Sequence, residues 1–414
     1  MTDMAGTGPV IAVDKVQAVA LAVCTYYFGV WLKGKVGVLS RYSIPSPVVG
    51  GMSFAIVVSF LEYFNIVKVQ IDSTLQTVLM LGFFTTIGLM ASLRVVKDGG
   101  RLLLGFLLAV TVLVFLQNGM GMAIAEAMGF DKHYGILAGS VSMMGGLGTA
   151  AAFGPYFEET YGITGGTAVA VTAATFGMVA ALLIGGPFGE WCIRRYKVKT
   201  PDEVQQPEPE LHLPDDMDTD ITEQHASAKP NFTNEIMRAV SVTALAMGLG
   251  TIVSNFLGHY ITLPAYIGAM IIATIIRNVG DFSGMYKVEG KGLNAVADIT
   301  LVLFVTMAIN NLKLHELVHL ALPLVVILAC QTILMLIYAW TVLFTAFGRS
   351  YDAVMLSVGG IGFSMGATAN GLANMQAISE KYGSSPRAWL IVSVVGAFLI
   401  DLINAVVITW FGTL

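Results

Sequence analysis

Ten apolar runs, many of the length that crosses a hydrocarbon core ~30 Å thick, decide what this chain can fold into. They lie near 16–32, 46–67, 75–93, 102–128 and 167–193 in the first half. In the second half they lie near 236–257, 264–276, 295–312, 318–347 and 389–411. Of 414 residues, 56% are hydrophobic and only 12% charged, and the mean hydropathy is +0.75. A soluble domain has no use for so much apolar surface. The short alternating strands of a membrane β-barrel are absent. The chain therefore reads as an all-α polytopic membrane protein in a lipid bilayer, with about ten transmembrane spans. The stretch before Val10 has no Lys, no Arg and no cleavage signature, so the first run is expected to be a permanent helix.

Basic residues orient the spans, because cytoplasmic loops carry the excess of positive charge. With the N-terminus outside, only Lys15, Lys68, Lys132 and Lys313 of the 22 Lys and Arg residues fall on the outer side. Five spans per half is an odd number, so the second half is inverted relative to the first. Both termini then lie outside. The stretch 197–234 is polar and rich in Pro, Asp and Glu. It reads as an acidic cytoplasmic linker between a first repeat (1–196) and a second (235–414). The net charge of −5 collects largely there, and nothing in the pattern implies a nucleic-acid partner.

Each half interrupts its apolar runs with a glycine-rich segment between its fourth and fifth spans. The first reads Ser142-Met143-Met144-Gly145-Gly146-Leu147-Gly148-Thr149, the second Gly362-Phe363-Ser364-Met365-Gly366-Ala367-Thr368-Ala369-Asn370-Gly371. Both run on to a Tyr-Gly pair, at Tyr161 and Tyr382. Paired helix breaks in corresponding places point to a transport site near the bilayer midplane. They are expected to form re-entrant hairpins near 135–160 and 353–380, tolerated at that depth only against protein or a watery cavity. Small-residue helix packing is the alternative reading.

Asp401 stands in the middle of the last run, with Asn404 one turn on, so both project from one helix face. A carboxylate at that depth costs roughly 2.5 to 3.5 kcal/mol on the insertion scale and normally faces a cavity or bundle interior. Oxygen ligands suit a hard cation such as Na⁺. Asn310 and Thr306, at i and i+4, and Thr85, at the position in the third span that matches Thr306, complete the candidate sodium set. The structural alternative is helix–helix hydrogen bonding, which is the ordinary role of the further polar residues Thr86, Gln117, Asn118, Thr172, Thr175 and Gln331. An anionic substrate would meet no Lys or Arg at either tip. It could sit on free N–H groups where half-helices begin. Gly145, Gly146, Gly148, Thr149, Ser364, Gly366, Thr368, Asn370 and Asn374 are the candidate substrate-binding residues. The run His315-Glu316-Leu317-Val318-His319 fits a zinc-protease pattern, but no third ligand stands nearby. Cys24, Cys192 and Cys330 lie in or at the ends of apolar runs and imply no disulfide framework. No catalytic residues and no cofactor are expected.

Several stretches together resemble the bacterial sodium/glutamate symporter family over nearly the whole chain. They are Tyr42-Ser43-Ile44-Pro45-Ser46-Pro47, Phe83-Phe84-Thr85-Thr86-Ile87-Gly88-Leu89 and Gly145-Gly146-Leu147-Gly148-Thr149. Most specific are Gly366-Ala367-Thr368-Ala369-Asn370-Gly371-Leu372-Ala373-Asn374-Met375-Gln376 and Gly396-Ala397-Phe398-Leu399-Ile400-Asp401-Leu402-Ile403-Asn404. Leu147 departs from the family, where a His is common. The resemblance implies symport of glutamate with Na⁺ as coupling ion, a bacterial inner-membrane location, two inverted five-helix halves with re-entrant loops, and a homodimer. A sodium-coupled di- or tricarboxylate carrier is the nearest alternative; a channel and an intramembrane peptidase are further ones.

Overall fold

The computed structural model describes residues 9–37, 39, 44–94, 100–201, 232–257, 265–284, 286, 290–314 and 319–414. Tyr42 and Ser43, most of the linker (202–231), and His315 to Val318 lie outside the described residues.

The chain runs β1 (Val10–Val13), α1 (Lys15–Lys35), α2 (Ser46–Tyr63), β2 (Lys68–Ile71), α3 (Thr74–Met90), α4 (Gly100–Ala127), α5 (Lys132–Ile136), α6 (Gly146–Tyr161) and α7 (Gly166–Tyr196). It continues α8 (Phe232–Leu257), α9 (Ala265–Ser283), α10 (Lys291–Asn310), α11 (Ala321–Tyr338), α12 (Tyr351–Ser364), α13 (Thr368–Tyr382), α14 (Pro386–Val394) and α15 (Ile400–Gly412). Wide π turns extend α5 over Leu137–Val141 and α11 over Ala339–Ala346, and join α14 to α15 over Val395–Leu399. Local signals set the starts. Asp14 accepts from the N–H groups of Val16 and Gln17 while Gln17 returns to the Asp14 N–H, a capping box that opens α1. Pro47 sits in the first turn of α2, where a missing N–H does no harm.

Among the described residues, eight helices are long and apolar enough to cross a membrane; α14 and α15 count as one of them, from Pro386 to Gly412. The protein is a polytopic helical membrane protein. Two of the ten expected spans fall outside that set. The third, α3, is apolar but has 17 residues. The seventh, α9, runs beyond the apolar run to Ser283 and carries the ion pair Arg277–Asp281 in its last turns. Helix α8 begins at Phe232, inside the stretch read as linker.

One departure from an all-α reading is a two-stranded parallel ribbon, β1 on β2, in register from Val10↔Lys68 to Val13↔Ile71. Four residues give too short an alternation to stand out in sequence, and the pairing is long-range. Because each strand leads into a helix, the ribbon fixes the starts of α1 and α3 at one end of the bundle.

The helices pack chiefly into two layers. One holds α1, α2, α3, α8, α9 and α10; the other holds α4 to α7 and α11 to α15. Within the second layer Phe106, Leu113, Phe153, Met335, Val354 and Phe363 are fully or almost fully buried. Leu108 and Leu322 are about two-thirds exposed, at 67% and 70%, as side chains facing lipid must be. An apolar seam joins the layers: Ala151, Ala168 and Val171 lie in one cluster with Val48, Phe304, Val305 and Ala308.

Candidate functional site

Both glycine-rich segments are helix breaks. The first arm of hairpin one is α5 and its π turn, where Gly139 leaves the helical region at φ −88°, ψ −130°. The chain turns through 142–145, and α6 starts at Gly146, whose φ of +62° favours glycine. In hairpin two, α12 ends at Ser364, the chain turns through Met365 and Gly366, and α13 starts at Thr368. Its two arms touch backbone to backbone: a Cβ on Gly362 would stand 2.2 Å from the Gly371 α-carbon.

Unwound backbone away from water needs partners. The Ser140 N–H donates to Asn118 Oδ1 (2.9 Å), and its carbonyl accepts from Asn404 Nδ2 (3.1 Å). Ser142 Oγ donates to the Ala170 carbonyl (2.7 Å). At the second break Gln117 Nε2 donates to the Ser364 carbonyl (2.9 Å), and Gln331 Nε2 donates to the Gln117 carbonyl (2.8 Å). Thr368 Oγ1 donates to the Gly396 carbonyl. Asn370 and Asn374 donate to the Met178 and Ala181 carbonyls of α7, each at 3.0 Å. Polar side chains of α4, α11 and α15 and main-chain carbonyls of α7 thus hold both breaks open.

The two tips line one cavity of about 500 Å³ on the seam between the layers. Residues 144–149 and 366–369 form one wall with Met178, Gly396 and Asp401; Phe83, Ile87, Asp298, Leu301, Val302 and Val305 form the other. Helices α6 and α13 both begin there without a side-chain cap. The Gly146 N–H donates back to the Ser142 carbonyl (3.2 Å), so the N–H groups of Leu147 and Gly148 in α6 and of Thr368 and Ala369 in α13, with the positive dipole ends, open towards the cavity. Among the described residues its charged lining is two carboxylates, Asp298 from α10 and Asp401 from α15, with no Lys, Arg or His.

Of the candidate residues, the cavity brings together Gly145, Gly146, Gly148, Thr149, Gly366, Thr368 and Asp401. Ser364, Asn370 and Asn374 stand behind the second tip, in the hydrogen bonds above. Asn404 stands behind the first, with its Oδ1 buried and without a hydrogen-bond partner among the described residues. Thr85 and Thr306 donate to carbonyls of their own helices, at Leu81 (2.7 Å) and Val302 (2.6 Å). Asn310 lies apart, donating to Thr25 Oγ1 (3.0 Å) where α10 meets α1, and its Oδ1 also has no partner among the described residues. Sequence reasoning missed Asp298. The signal was there, since it is an acid inside an apolar run, the same criterion that selects Asp401. It also missed Ser140, whose role is set by its backbone.

The comparisons agree with one another. A family model described as sodium/glutamate symporter matches residues 11–384. The sodium/glutamate symporters of Escherichia coli (strain K12) and Shigella flexneri are each 37% identical to this chain over 400 residues, covering 95% of it and 96% of the relative. The sodium/glutamate symporter of Haemophilus influenzae is 35% identical over 395 residues, covering 94% of this chain and 95% of the relative.

Proposed function

The chain belongs to the sodium/glutamate symporter family, and on that premise we propose that it carries glutamate together with Na⁺ by alternating access. One observation carries the reading: two uncapped helix starts and two carboxylates share a cavity on a seam between two helix layers. The substrate carboxylates sit on the N–H groups of Leu147 and Gly148 at the first tip and of Gly366 to Ala369 at the second, because the Gly145 and Gly146 N–H groups already donate to the Ser140 and Ser142 carbonyls. A helix start contributes about 0.3 to 1 kcal/mol to holding an anion, and up to ~2 kcal/mol when partly buried.

Charge then requires a cation. Glutamate is a net anion, and two more carboxylates line the cavity. Like charges ~4 Å apart repel by about 4 kcal/mol at an effective dielectric of 20. Na⁺ beside Asp401 relieves this, with Asn404 Oδ1 as a neighbouring oxygen; Thr85, Thr306 and Asn310 stay outside this inner set. Substrate must raise Na⁺ affinity by the factor by which Na⁺ raises substrate affinity. The layer with the hairpins moves against the layer of α1 to α3 and α8 to α10. The seam of Ala151 and Ala168 against Phe304 and Ala308 suits such movement, being apolar and free of cross-layer hydrogen bonds at those side chains.

The two halves are inverted repeats in a bacterial inner membrane, with both termini outside and the linker cytoplasmic. Hydrogen bonds between distant segments support this sidedness. Lys381 with Glu190 and Ser92 with Asp281, each 2.5 Å, join segments assigned to the inner side. The Leu314 N–H with Ser59 Oγ (3.3 Å) and His133 Nε2 with the Gly412 carbonyl (3.2 Å) join segments assigned to the outer side. A homodimer is part of the same proposal. Uptake of labelled glutamate into proteoliposomes, with and without an imposed Na⁺ gradient, tests the reading, with aspartate, malate and citrate as competitors. Gradient-driven uptake displaced by glutamate supports it; uptake displaced only by citrate or malate points to a di- or tricarboxylate carrier.

A further inference from the structure

With Na⁺ beside Asp401, the second carboxylate of the tip cavity, Asp298, is left without a counter-charge. It stands two turns into α10, on the wall that faces the tips. The other side chains of α3 and α10 on that wall are apolar: Phe83, Ile87, Leu301, Val302 and Val305. Asp298 is exposed and makes no hydrogen bond or ion pair with any other described residue. A lone carboxylate on an apolar wall is a seat for a ligand cation.

The tip wall has the reverse character. The N–H groups of Leu147 and Gly148 and of Gly366 to Ala369 lie there, with the positive ends of α6 and α13. Carboxylates suit such a wall, and an ammonium is repelled by it. An α-amino acid carries both charges on one carbon. Once its carboxylates rest on the tips, its ammonium turns towards α10. Among the described residues, Asp298 is the polar side chain that α10 offers there. Asp401 lies on the tip wall instead, beside the substrate carboxylates and Na⁺. A cavity of about 500 Å³ lets one small molecule touch both walls.

We propose that Asp298 is the specificity-determining residue of this cavity: its carboxylate accepts the α-ammonium of the substrate and repels a dicarboxylate that lacks one. Both halves of the discrimination come from one charge. The amino acid gains a charge-assisted hydrogen bond. The plain dicarboxylate loses that bond and brings its own negative charge to an acid that nothing offsets. The assignment rests on the transport reading above and deepens it, since it names the group by which the site tells an acidic amino acid from a dicarboxylate.

The test is equilibrium binding of labelled glutamate to purified protein in saturating Na⁺, with glutarate as competitor. Glutarate keeps both carboxylates and lacks the ammonium. In the wild type the inhibition constant of glutarate should exceed the dissociation constant of glutamate. In Asp298→Asn that ratio should fall at least about tenfold, the scale of one hydrogen bond between charged groups. Asp298→Glu, which keeps the charge, should retain most of the ratio. The field of Asp298 also reaches Na⁺, but it does so with either ligand, and the ratio cancels it. A thermal shift is the second measurement, and it does not need glutamate to bind the variant. Saturating glutarate in Na⁺ should raise the thermal midpoint of Asp298→Asn by more than it raises that of the wild type. An unchanged ratio, or a glutarate shift no larger than in the wild type, overturns the proposal. Wild-type glutamate binding and uptake indifferent to Na⁺ would instead remove the transport reading beneath it.

Discussion

The carbonyl of Gly366 lies against Gly146: a Cβ built on Gly146 would stand 2.4 Å from that oxygen. The two hairpin tips therefore touch backbone to backbone, and Gly146 also holds φ at +62°. A side chain there meets left-handed strain of roughly 1 to 2 kcal/mol and a main-chain clash together. Gly146→Ala should lower the thermal midpoint in detergent and abolish glutamate uptake. Gly119→Ala, with open space around it, should leave both unchanged; equal losses in the two variants would contradict the tip contact.

The acids facing each other across the inner cavity make separable predictions. Asp401→Asn should eliminate the dependence of uptake on Na⁺, read as rate against Na⁺ concentration at constant ionic strength. Asp298→Asn removes an attractor for the cation without removing its neighbour. The half-saturating Na⁺ concentration should then rise about fivefold, the scale of one charge interaction of ~1 kcal/mol. If Asp401→Asn retains wild-type Na⁺ dependence, Asp401 is not in the ion site.

Asn118 is fully buried and accepts the N–H of Ser140 in the unwound arm. Asn118→Leu would leave that N–H buried without a partner, at a cost of about 1 to 3 kcal/mol. Lower thermal stability with faster amide exchange around Ser140 is the expected result. Protection equal to wild type would mean that another group satisfies the break.

Ala151 is fully buried in the apolar seam with Phe304, Val305 and Ala308. Ala151→Leu overpacks it, which costs typically 1 to 3 kcal/mol. If the layers move along this seam, the transport rate should fall at least tenfold while Na⁺-dependent binding in detergent survives. Loss of binding in proportion to transport would argue against a moving seam.

The Glu190–Lys381 pair marks the other end of the scale. Both side chains are substantially exposed, and exposed pairs contribute about 0 to 1 kcal/mol. Lys381→Ala should shift the thermal midpoint by no more than a few degrees and leave uptake near wild type. Abolished uptake would show that this contact on the second arm does more than tie α13 to α7.

Much of this architecture is legible without coordinates, because lipid imposes a simple rule. Long apolar runs become helices, and a glycine-rich gap inside them becomes a break. That rule gives the courses of most helices and the places of both helix breaks, and it picks out Asp401. It fails at β1 and β2, where the strands are short and their partners lie far apart in sequence. It does not place the polar residues: the Thr85 and Thr306 hydroxyls donate to carbonyls of their own helices and do not line the cavity that holds Asp401.

The sequence by itself therefore determined the class of protein, the course of its helices and the two unwound points. Only the tertiary structure decided that the breaks meet, that Asp298 joins Asp401 in their cavity, and that Asn310 does not. It alone decided that Asn118, Gln117 and Asn404 hold the open backbone. The physical reason is range. Solvation and backbone hydrogen bonding act within a segment and leave a local trace in composition, whereas which side chains share a cavity depends on how helices from distant parts of the chain pack.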